Sequence, residues 1–241
     1  MIALDPRPPR RPAALRAVLF DMDGLLVDSE PLWFEVERAV MARLGGEWGD
    51  ADQEALIGGS LDRTVSWLLA KAAVPASRDD VARWLVAGMA VLIGARGLPL
   101  QPGAGPLLAG LDAAGVPCAL VTASSLAIME AVLKVTALSF SVTVCGEDVR
   151  RGKPDPEPYL LAADRLGVPP AGCVVLEDSP TGIAAARAAG CPVIAVPSVP
   201  VPPGPGLVTV GSLEEVGFDL LESVVTGNFE DPGRAVTEKS R

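Results

Sequence analysis

Residues 17–24 read Ala-Val-Leu-Phe-Asp-Met-Asp-Gly, an apolar run that stops abruptly at two acidic residues. A short, continuous apolar run is typical of a strand that is buried on both faces. Asp21 and Asp23 are separated by one residue, and carboxylates this close repel each other unless a cation or a proton relieves them. The alternative is a simple turn that uses Asp23-Gly24 for its backbone geometry. In either case, the run predicts a buried strand with acidic groups at its carboxyl end.

The rest of the chain shows a helical block and then an alternation of strand and helix patterns. Four helices are predicted in the block, at about 30–44, 52–57, 61–73 and 78–93, with no strand before Gly97. Beyond it we predict helices at 106–114, 125–136, 156–166 and 181–189, and strands at 118–121, 142–145, 173–176, 193–196 and 207–210. Because these strands are continuously apolar, the alternation indicates a parallel sheet covered by helices on both faces.

The predicted fold class is therefore α/β, with a Rossmann-like parallel sheet core and an inserted all-helical cap domain. The core is assigned to residues 15–28 and 101–225, and the cap to residues 29–100. Residues 1–14 are basic and rich in proline, which predicts a disordered leader, and residues 226–241 contain few apolar side chains, which predicts a flexible tail.

Composition excludes several classes of function. The chain has 241 residues, and 49% of them are hydrophobic, so a sizeable core can form. The net charge of -10 argues against nucleic-acid binding, because an acidic surface repels phosphate backbones. The chain contains no histidine, which excludes Ser-His-Asp and Cys-His catalysis and argues against a zinc site of the usual kind. The four cysteines form no Cys-x-x-Cys pair and are interpreted as buried free thiols.

The longest apolar run, residues 84–95, could in principle span a membrane or form an interface with a partner. As a helix it would measure roughly 18 Å, which is short of a bilayer core of about 30 Å. We therefore expect no membrane association and a cytoplasmic location. A monomer is expected, and a dimer remains open because this helix could face either the cap interior or a partner.

Polar groups follow each of the first four predicted strands. In chain order they are Asp21-Met22-Asp23-Gly24, Thr122-Ala123-Ser124, Arg151-Gly152-Lys153-Pro154 and Glu177-Asp178-Ser179-Pro180. The carboxyl ends of parallel strands meet at one edge of the sheet, where open α/β folds bind ligands. Each segment also has a local alternative, such as a turn, a helix N-cap or a solvated lysine. Their shared position favours one common site.

The residue types at this edge suit phosphate chemistry with a metal ion. The paired acids Asp21 and Asp23, completed by Asp178, offer the hard oxygen ligands that Mg²⁺ prefers. Thr122 can hold a phosphate oxygen through its hydroxyl, and Lys153 can neutralise a phosphoryl group or a carboxylate. Helix capping explains Ser179 and Pro180, but it does not explain two acids at the end of an apolar strand.

Together, these segments resemble the haloacid dehalogenase-like hydrolase superfamily. The resemblance covers nearly the whole chain, about residues 15–215. All four signatures occur in order, with a helical insert between the first and the second. The matching segments are Phe20–Glu30, Val121–Ser124, Gly152–Pro156 and Glu177–Gly182. The continuation Asp28-Ser29-Glu30 and the helical cap resemble the subgroup of β-phosphoglucomutase, phosphoglycolate phosphatase and small sugar-phosphate phosphatases.

The resemblance implies a Mg²⁺-dependent phosphatase that hydrolyses a small phosphomonoester, such as a sugar phosphate, through an aspartyl-phosphate. It makes Asp21 the nucleophile, Asp23 the general acid and base, and Lys153 a catalytic cation. The metal would be held by Asp21, by the backbone carbonyl of Asp23, and by Asp178, with Glu177 at or just outside the coordination sphere. The implied phosphate-binding residues are Thr122, Ala123, Ser124, Lys153 and Arg63.

Two departures from β-phosphoglucomutase move the prediction towards a phosphatase. That subgroup carries a histidine in the first cap helix, where this chain has Trp33, and an arginine in the cap loop directly after Gly-x-Ser. Here Gly58-Gly59-Ser60 is followed by Leu61, and Arg63 comes two residues later. This loop is either the cap element that faces the substrate or a plain helix–helix turn. A phosphosugar mutase remains the alternative, followed by a non-catalytic binding member of the fold.

We also expect the cap to swing on hinges at 28–31 and 98–103.

Overall fold

Parallel strands form the centre of the protein. The computed structural model describes residues 14–56, 59–202, 204 and 206–228, so the predicted leader falls outside it except for Ala14, and so does the predicted tail beyond Asn228. The strands of the described chain are β1 (Ala17–Phe20), β2 (Cys118–Val121), β3 (Val142–Val144), β4 (Cys173–Glu177), β5 (Val193–Ala195) and β6 (Leu207–Thr209). They pair in parallel in the order β3-β2-β1-β4-β5-β6. The first strand therefore lies inside the sheet, as predicted.

Helices fill the connections between the strands. Those of the described chain are α1 (Glu30–Arg43), α2 (Asp50–Leu56), α3 (Leu61–Lys71), α4 (Arg78–Arg96), α5 (Ala104–Ala113), α6 (Leu126–Thr136), α7 (Glu157–Leu166), α8 (Pro180–Ala188) and α9 (Phe218–Thr226). The predicted helices are all present, with ends that differ by up to three residues. Helix α9 was not predicted. It buries Leu221 and Val224, which are three residues apart, against the core.

The two faces of the sheet are covered by different helices. Val18 and Phe20 point into one apolar cluster with side chains from α5, α6 and α9, and this cluster continues into the cap. Ala17 and Leu19 point into the other, which includes side chains from α7 and α8. Neighbouring residues of β1 thus face opposite layers, which explains why the strand is apolar at every position. The predicted α/β core with an inserted helical cap is confirmed.

The long apolar helix α4 belongs to the cap interior. It contacts α1, α3 and the core helix α6, and it buries Leu85, Met89 and Ile93. Val91 faces outward with 67% of its surface exposed. Among the described residues, no helix combines the length and apolarity that crossing a bilayer requires. All four cysteines are buried and free, as interpreted from the sequence.

The cap joins the core through two chain segments that run side by side. The Asp28 amide donates to the carbonyl of Pro99 at 3.1 Å, and the Gln101 amide donates to that of Leu26 at 2.8 Å. The Gln101 side chain also donates to the carbonyl of Gly24 at 3.0 Å. These bonds tie the loop after β1 to the segment that returns from the cap. The predicted hinges lie here and remain a prediction.

Candidate active site

The carboxyl edge of the sheet gathers the polar segments that the sequence placed there. Strands β1, β2 and β4 are neighbours, so Asp21, Thr122 and Asp178 leave the sheet side by side. The Asp21 amide donates to the carbonyl of Leu176, and the Thr122 amide donates to that of Val144. The hydrogen bonding between neighbouring strands therefore continues to these two residues. These bonds fix the backbone of Asp21 and Thr122 where β1 and β2 end.

Lys153 reaches this edge from the loop after β3 and is buried, with only 6% of its side chain exposed. Its Nζ donates to Asp21 Oδ1 at 2.5 Å, to Glu177 Oε1 at 2.6 Å and to the carbonyl of Val121 at 3.0 Å. Burial by itself would lower the pKa of Lys153, but the charges of Asp21 and Glu177 outweigh it and hold that pKa above its usual value. Lys153 is therefore a permanent cation next to the predicted nucleophile.

Glu177 is the most heavily bonded acid of the site. Besides Lys153, its Oε1 accepts from the Tyr159 hydroxyl at 2.6 Å. Its Oε2 accepts from the Asp178 amide at 3.0 Å, and from the amide and hydroxyl of Ser179 at 3.1 and 3.0 Å. A carboxylate offers about four lone-pair positions, so these donors saturate it. Glu177 thus anchors Lys153 and the start of α8.

Asp178 completes a group of acids that could hold a metal ion. Single oxygen atoms of Asp21, Glu177 and Asp178 all lie within 4.8 Å of one another. Burial, and then the charge of Glu177, raise the pKa of Asp178 to about 7, although Ser198 donates to its Oδ2 at 2.7 Å. Burial also raises the pKa of Asp21 well above its usual value, against the lowering effect of Lys153. Three buried acids thus surround the single cation Lys153, an excess of negative charge that a bound metal ion would offset.

Gly24 shows how closely the loop after β1 approaches this group. Its φ of +83° is in the left-handed region, and a Cβ atom built on it would lie 2.2 Å from Asp178 Oδ2. Only glycine combines that backbone with that proximity. The backbone at Asp23-Gly24 therefore packs directly against the Asp178 carboxylate, where the sequence prediction had placed a carbonyl ligand.

Asp23 lies apart from the acid group and is held by hydroxyls. Its Oδ1 accepts from the Ser29 hydroxyl at 2.7 Å, and its Oδ2 accepts from Ser124 at 2.8 Å and from Thr122 at 3.3 Å. The Thr122 hydroxyl also accepts from the Ser124 amide at 2.9 Å, so it organises its own loop and is not a helix N-cap. Helix α6 begins one residue beyond its N-cap Ser125, and that side chain makes no capping bond.

A cleft of about 270 Å³ lies between this edge and the cap. Its core side includes every predicted catalytic and phosphate-binding residue of the core: Asp21, Asp23, Thr122, Ala123, Ser124 and Lys153. Its cap side includes Arg63 and Trp33. The Arg63 guanidinium donates to the carbonyl of Ala55 at 2.7 Å, which links the start of α3 to the end of α2. Gly58 lies outside the described residues, and the cleft is lined by four other residues of the predicted cap loop: Gly59, Ser60, Leu61 and Arg63.

Comparison with known proteins identifies the family. The sequence profile of the haloacid dehalogenase-like hydrolases matches residues 15–190 of the chain. The chain belongs to this family. The match begins just before β1 and ends just after α8, so the hydrolase profile spans the cap and all four polar segments at the sheet edge.

Relatives of this hydrolase include two hexitol phosphatases. Hexitol phosphatase A of Escherichia coli (strain K12) is 38% identical over 182 residues, covering 75% of this chain and 82% of that protein. Hexitol phosphatase B of the same strain is 37% identical over 191 residues, covering 78% of this chain and 86% of that protein. The crystal structure of CbbY from Rhodobacter sphaeroides in complex with phosphate matches with a TM-score of 0.77 and 29% identity, over 84% of this chain and 96% of that one.

Four residues of the hydrolase site had no assigned part in the sequence prediction. Ser29 was quoted within a motif, but its bond to Asp23 was not foreseen. Tyr159 carries no local signal, since it is one aromatic residue on α7. Ser198 follows β5, so the rule that strand ends converge could have found it. Glu37 shares a face of α1 with Glu30 and Trp33, at offsets of seven and four residues, and that spacing was visible in the sequence.

Proposed function

We propose that this hydrolase is a Mg²⁺-dependent phosphatase that acts on a small phosphorylated sugar or sugar alcohol through an aspartyl-phosphate on Asp21. One observation carries the proposal: Asp21, Asp23, Thr122 and Lys153 line a single cleft under the cap. The named activities of the hexitol phosphatases support the substrate class. The free, buried thiols suit a reducing compartment, and we propose the cytoplasm.

In the first step, a carboxylate oxygen of Asp21 attacks phosphorus and the bond from phosphorus to the ester oxygen breaks. Lys153, which is paired with Asp21 Oδ1, favours the ionised form of the nucleophile and offsets charge on the phosphoryl group. Asp23 gives its proton to the departing alkoxide, which leaves as an alcohol. Ser29, which is fully buried, holds Asp23 in place for this transfer.

In the second step, Asp23 takes a proton from water, and that water attacks the phosphorus of the aspartyl-phosphate. The bond between phosphorus and the Asp21 oxygen breaks, which releases phosphate and restores Asp21. Thr122 and Ser124 line the same cleft, and each hydroxyl can donate to a phosphoryl oxygen when it gives up its bond to Asp23. Asp23 thus loses a proton in the first step and recovers one from water in the second, which restores its starting form.

The acid group fits Mg²⁺, since its donors are carboxylate oxygens and its charge exceeds that of Lys153. Asp21 and Asp178 would hold the ion together with the backbone carbonyl of Asp23. Glu177 would act from outside, because hydrogen bonds already occupy both of its oxygens. When bound, Mg²⁺ stabilises negative charge on the phosphoryl oxygens.

Phosphate release is the direct test of the proposal. We expect release from hexose or hexitol 6-phosphates with Mg²⁺, and a decrease of about two orders of magnitude or more with EDTA, since metal charge stabilisation is worth several kcal/mol. The panel should include nucleotides and phosphoglycolate. Conversion of a sugar phosphate into an isomer without release would indicate a mutase instead. No release from any ester, with Mg²⁺ binding shown by calorimetry, would overturn the proposal.

Gly24→Ala is expected to weaken Mg²⁺ binding by about tenfold or more, because the new methyl group overlaps Asp178 Oδ2 and displaces a ligand worth at least about 1.4 kcal/mol. Calorimetric titration with Mg²⁺ measures the effect. Gly115→Ala is the matched control: its φ of +67° gives similar backbone strain, but no atom lies within 4 Å of the new Cβ. Equal Mg²⁺ affinities in the two variants would contradict the placement of the metal.

A further inference from the structure

The cap wall of the cleft contains a buried acid with an unsatisfied oxygen. Glu37 of α1 has only 3% of its surface exposed and lines the cleft. Its Oε2 has no hydrogen-bond partner among the described residues. A buried polar atom without a partner destabilises the folded protein, because it has lost its hydrogen bonds to water. Such an atom at the wall of a substrate cleft indicates a partner that arrives with the ligand.

Gln53 of α2 also lines this cleft and carries a second acceptor without a partner. Its Nε2 donates to Glu30 Oε2 at 2.9 Å, which fixes the orientation of the amide. The opposite atom, Oε1, is buried and has no partner among the described residues. On the core side of the cleft, the Ser125 hydroxyl is also buried and unpartnered. Three residues on three different helical segments line one cavity, and each carries a buried polar atom without a partner.

The charge of this wall decides what can bind to it. Burial, and then the charge of Glu30, raise the pKa of Glu37 to about 8, so its carboxyl group can both donate and accept near neutral pH. Among the described residues that line the cleft, the positive side chains are Lys153, which is paired with two acids at the floor, and Arg63. Because Glu37 is then largely uncharged at neutral pH, Glu30 is the acid that would repel a second anionic group at the cap end. Neutral hydroxyls suit both unsatisfied acceptors.

We propose that Glu37 and Gln53 are specificity residues that bind hydroxyl groups of the leaving group. The substrate is then a monophosphate of a neutral polyol or sugar, and bisphosphates and phosphorylated acids are rejected. This inference rests on the proposed phosphatase function. Trp33 lies on the same face of α1 and lines the cleft, where its ring offers an apolar surface for the carbon chain between the hydroxyls.

The experiment compares two esters with equal carbon chains, glucitol 6-phosphate and hexyl phosphate. The ratio of their kcat/KM values reports hydroxyl recognition and is independent of the common phosphoryl chemistry. We expect Glu37→Leu to reduce this ratio by about tenfold or more, because the substrate hydroxyls lose their hydrogen bonds to the carboxyl group. Glu35→Leu is the control on the same helix, because that carboxylate pairs with Arg96 at 2.6 Å outside the cleft and should keep the wild-type ratio.

An unchanged ratio in Glu37→Leu would overturn the inference while leaving the phosphatase proposal in place. Cleavage of glucitol 1,6-bisphosphate by the wild type as fast as the monophosphate would also overturn it. If the wild type releases phosphate from esters of the panel but not from glucitol 6-phosphate, this inference alone fails, whereas no release from any ester overturns the phosphatase proposal as well. Should Glu37→Leu not fold, Gln53→Leu on the short helix α2 is measured in the same way, and the same decrease is expected.

Discussion

Asp21→Asn is expected to lower the rate of phosphate release by at least about 10³-fold, which is the scale of losing a nucleophile. The amide nitrogen and oxygen occupy the volume of the carboxylate, but an amide cannot form a stable acyl phosphate. The variant also loses a charge that burial disfavours, since the pKa of Asp21 lies well above its usual value. We therefore expect the melting temperature to change little. Phosphate release under saturating Mg²⁺ and thermal unfolding measure the two effects.

The control for this variant is Asp164→Asn, which changes an exposed aspartate on α7. It should retain wild-type turnover. Asp21→Asn should still bind Lys153 through its amide oxygen, and Glu177 keeps its own bond to that lysine. A variant that folds normally and keeps more than a tenth of the wild-type rate would show that Asp21 is not the nucleophile. The aspartyl-phosphate would then be excluded, even if Mg²⁺-dependent release is observed.

The sequence predicted those parts of the site that follow from topology. Once the strands are parallel, residues directly after β1, β2 and β4 must share an edge, so Asp21, Thr122 and Asp178 follow from strand assignments alone. Lys153 also follows, although its three hydrogen bonds require the loop after β3 to fold back over the sheet edge. These placements are robust because they depend on the order of elements and not on the exact ends of helices.

What the sequence did not predict depends on how elements pack against one another. Tyr159 reaches Glu177 because α7 lies against the sheet at one particular rotation, and no local pattern specifies that rotation. Helix α9 was overlooked because its nine residues mix apolar and polar side chains without a strong cap signal, and its stability comes from packing against the core. The role of Glu37 depends on how the cap is positioned over the core, since the same residue on an exposed helix face would be ordinary.

Lys153→Met is the second variant for which a large effect is expected. The substitution keeps an unbranched side chain but removes the positive charge between Asp21 and Glu177, which leaves buried acids without their ion-pair partner. Removing one partner of a buried ion pair lowers the free energy of unfolding by about 3–5 kcal/mol. In a chain of this size each kcal/mol corresponds to about 2–4 °C in melting temperature. Lys134→Met, on an exposed part of α6, is the matched control and should melt like the wild type.

The loss of stability in Lys153→Met should also increase with pH. Lys153 lowers the pKa of Asp21 and of Asp178, so its removal raises both further above the unfolded-state values. The folded variant then holds protons that the unfolded chain releases, and its stability falls as pH rises through that interval. At pH 5 the acids can take up protons and much of the repulsion is relieved, whereas at pH 8 it is not. Unfolding by denaturant at both values, with EDTA present so that no metal replaces the lost charge, measures the difference. If Lys153→Met lowers the free energy of unfolding by the same amount at pH 5 and at pH 8, Lys153 stabilises the site by packing and not by balancing the charge of its acids.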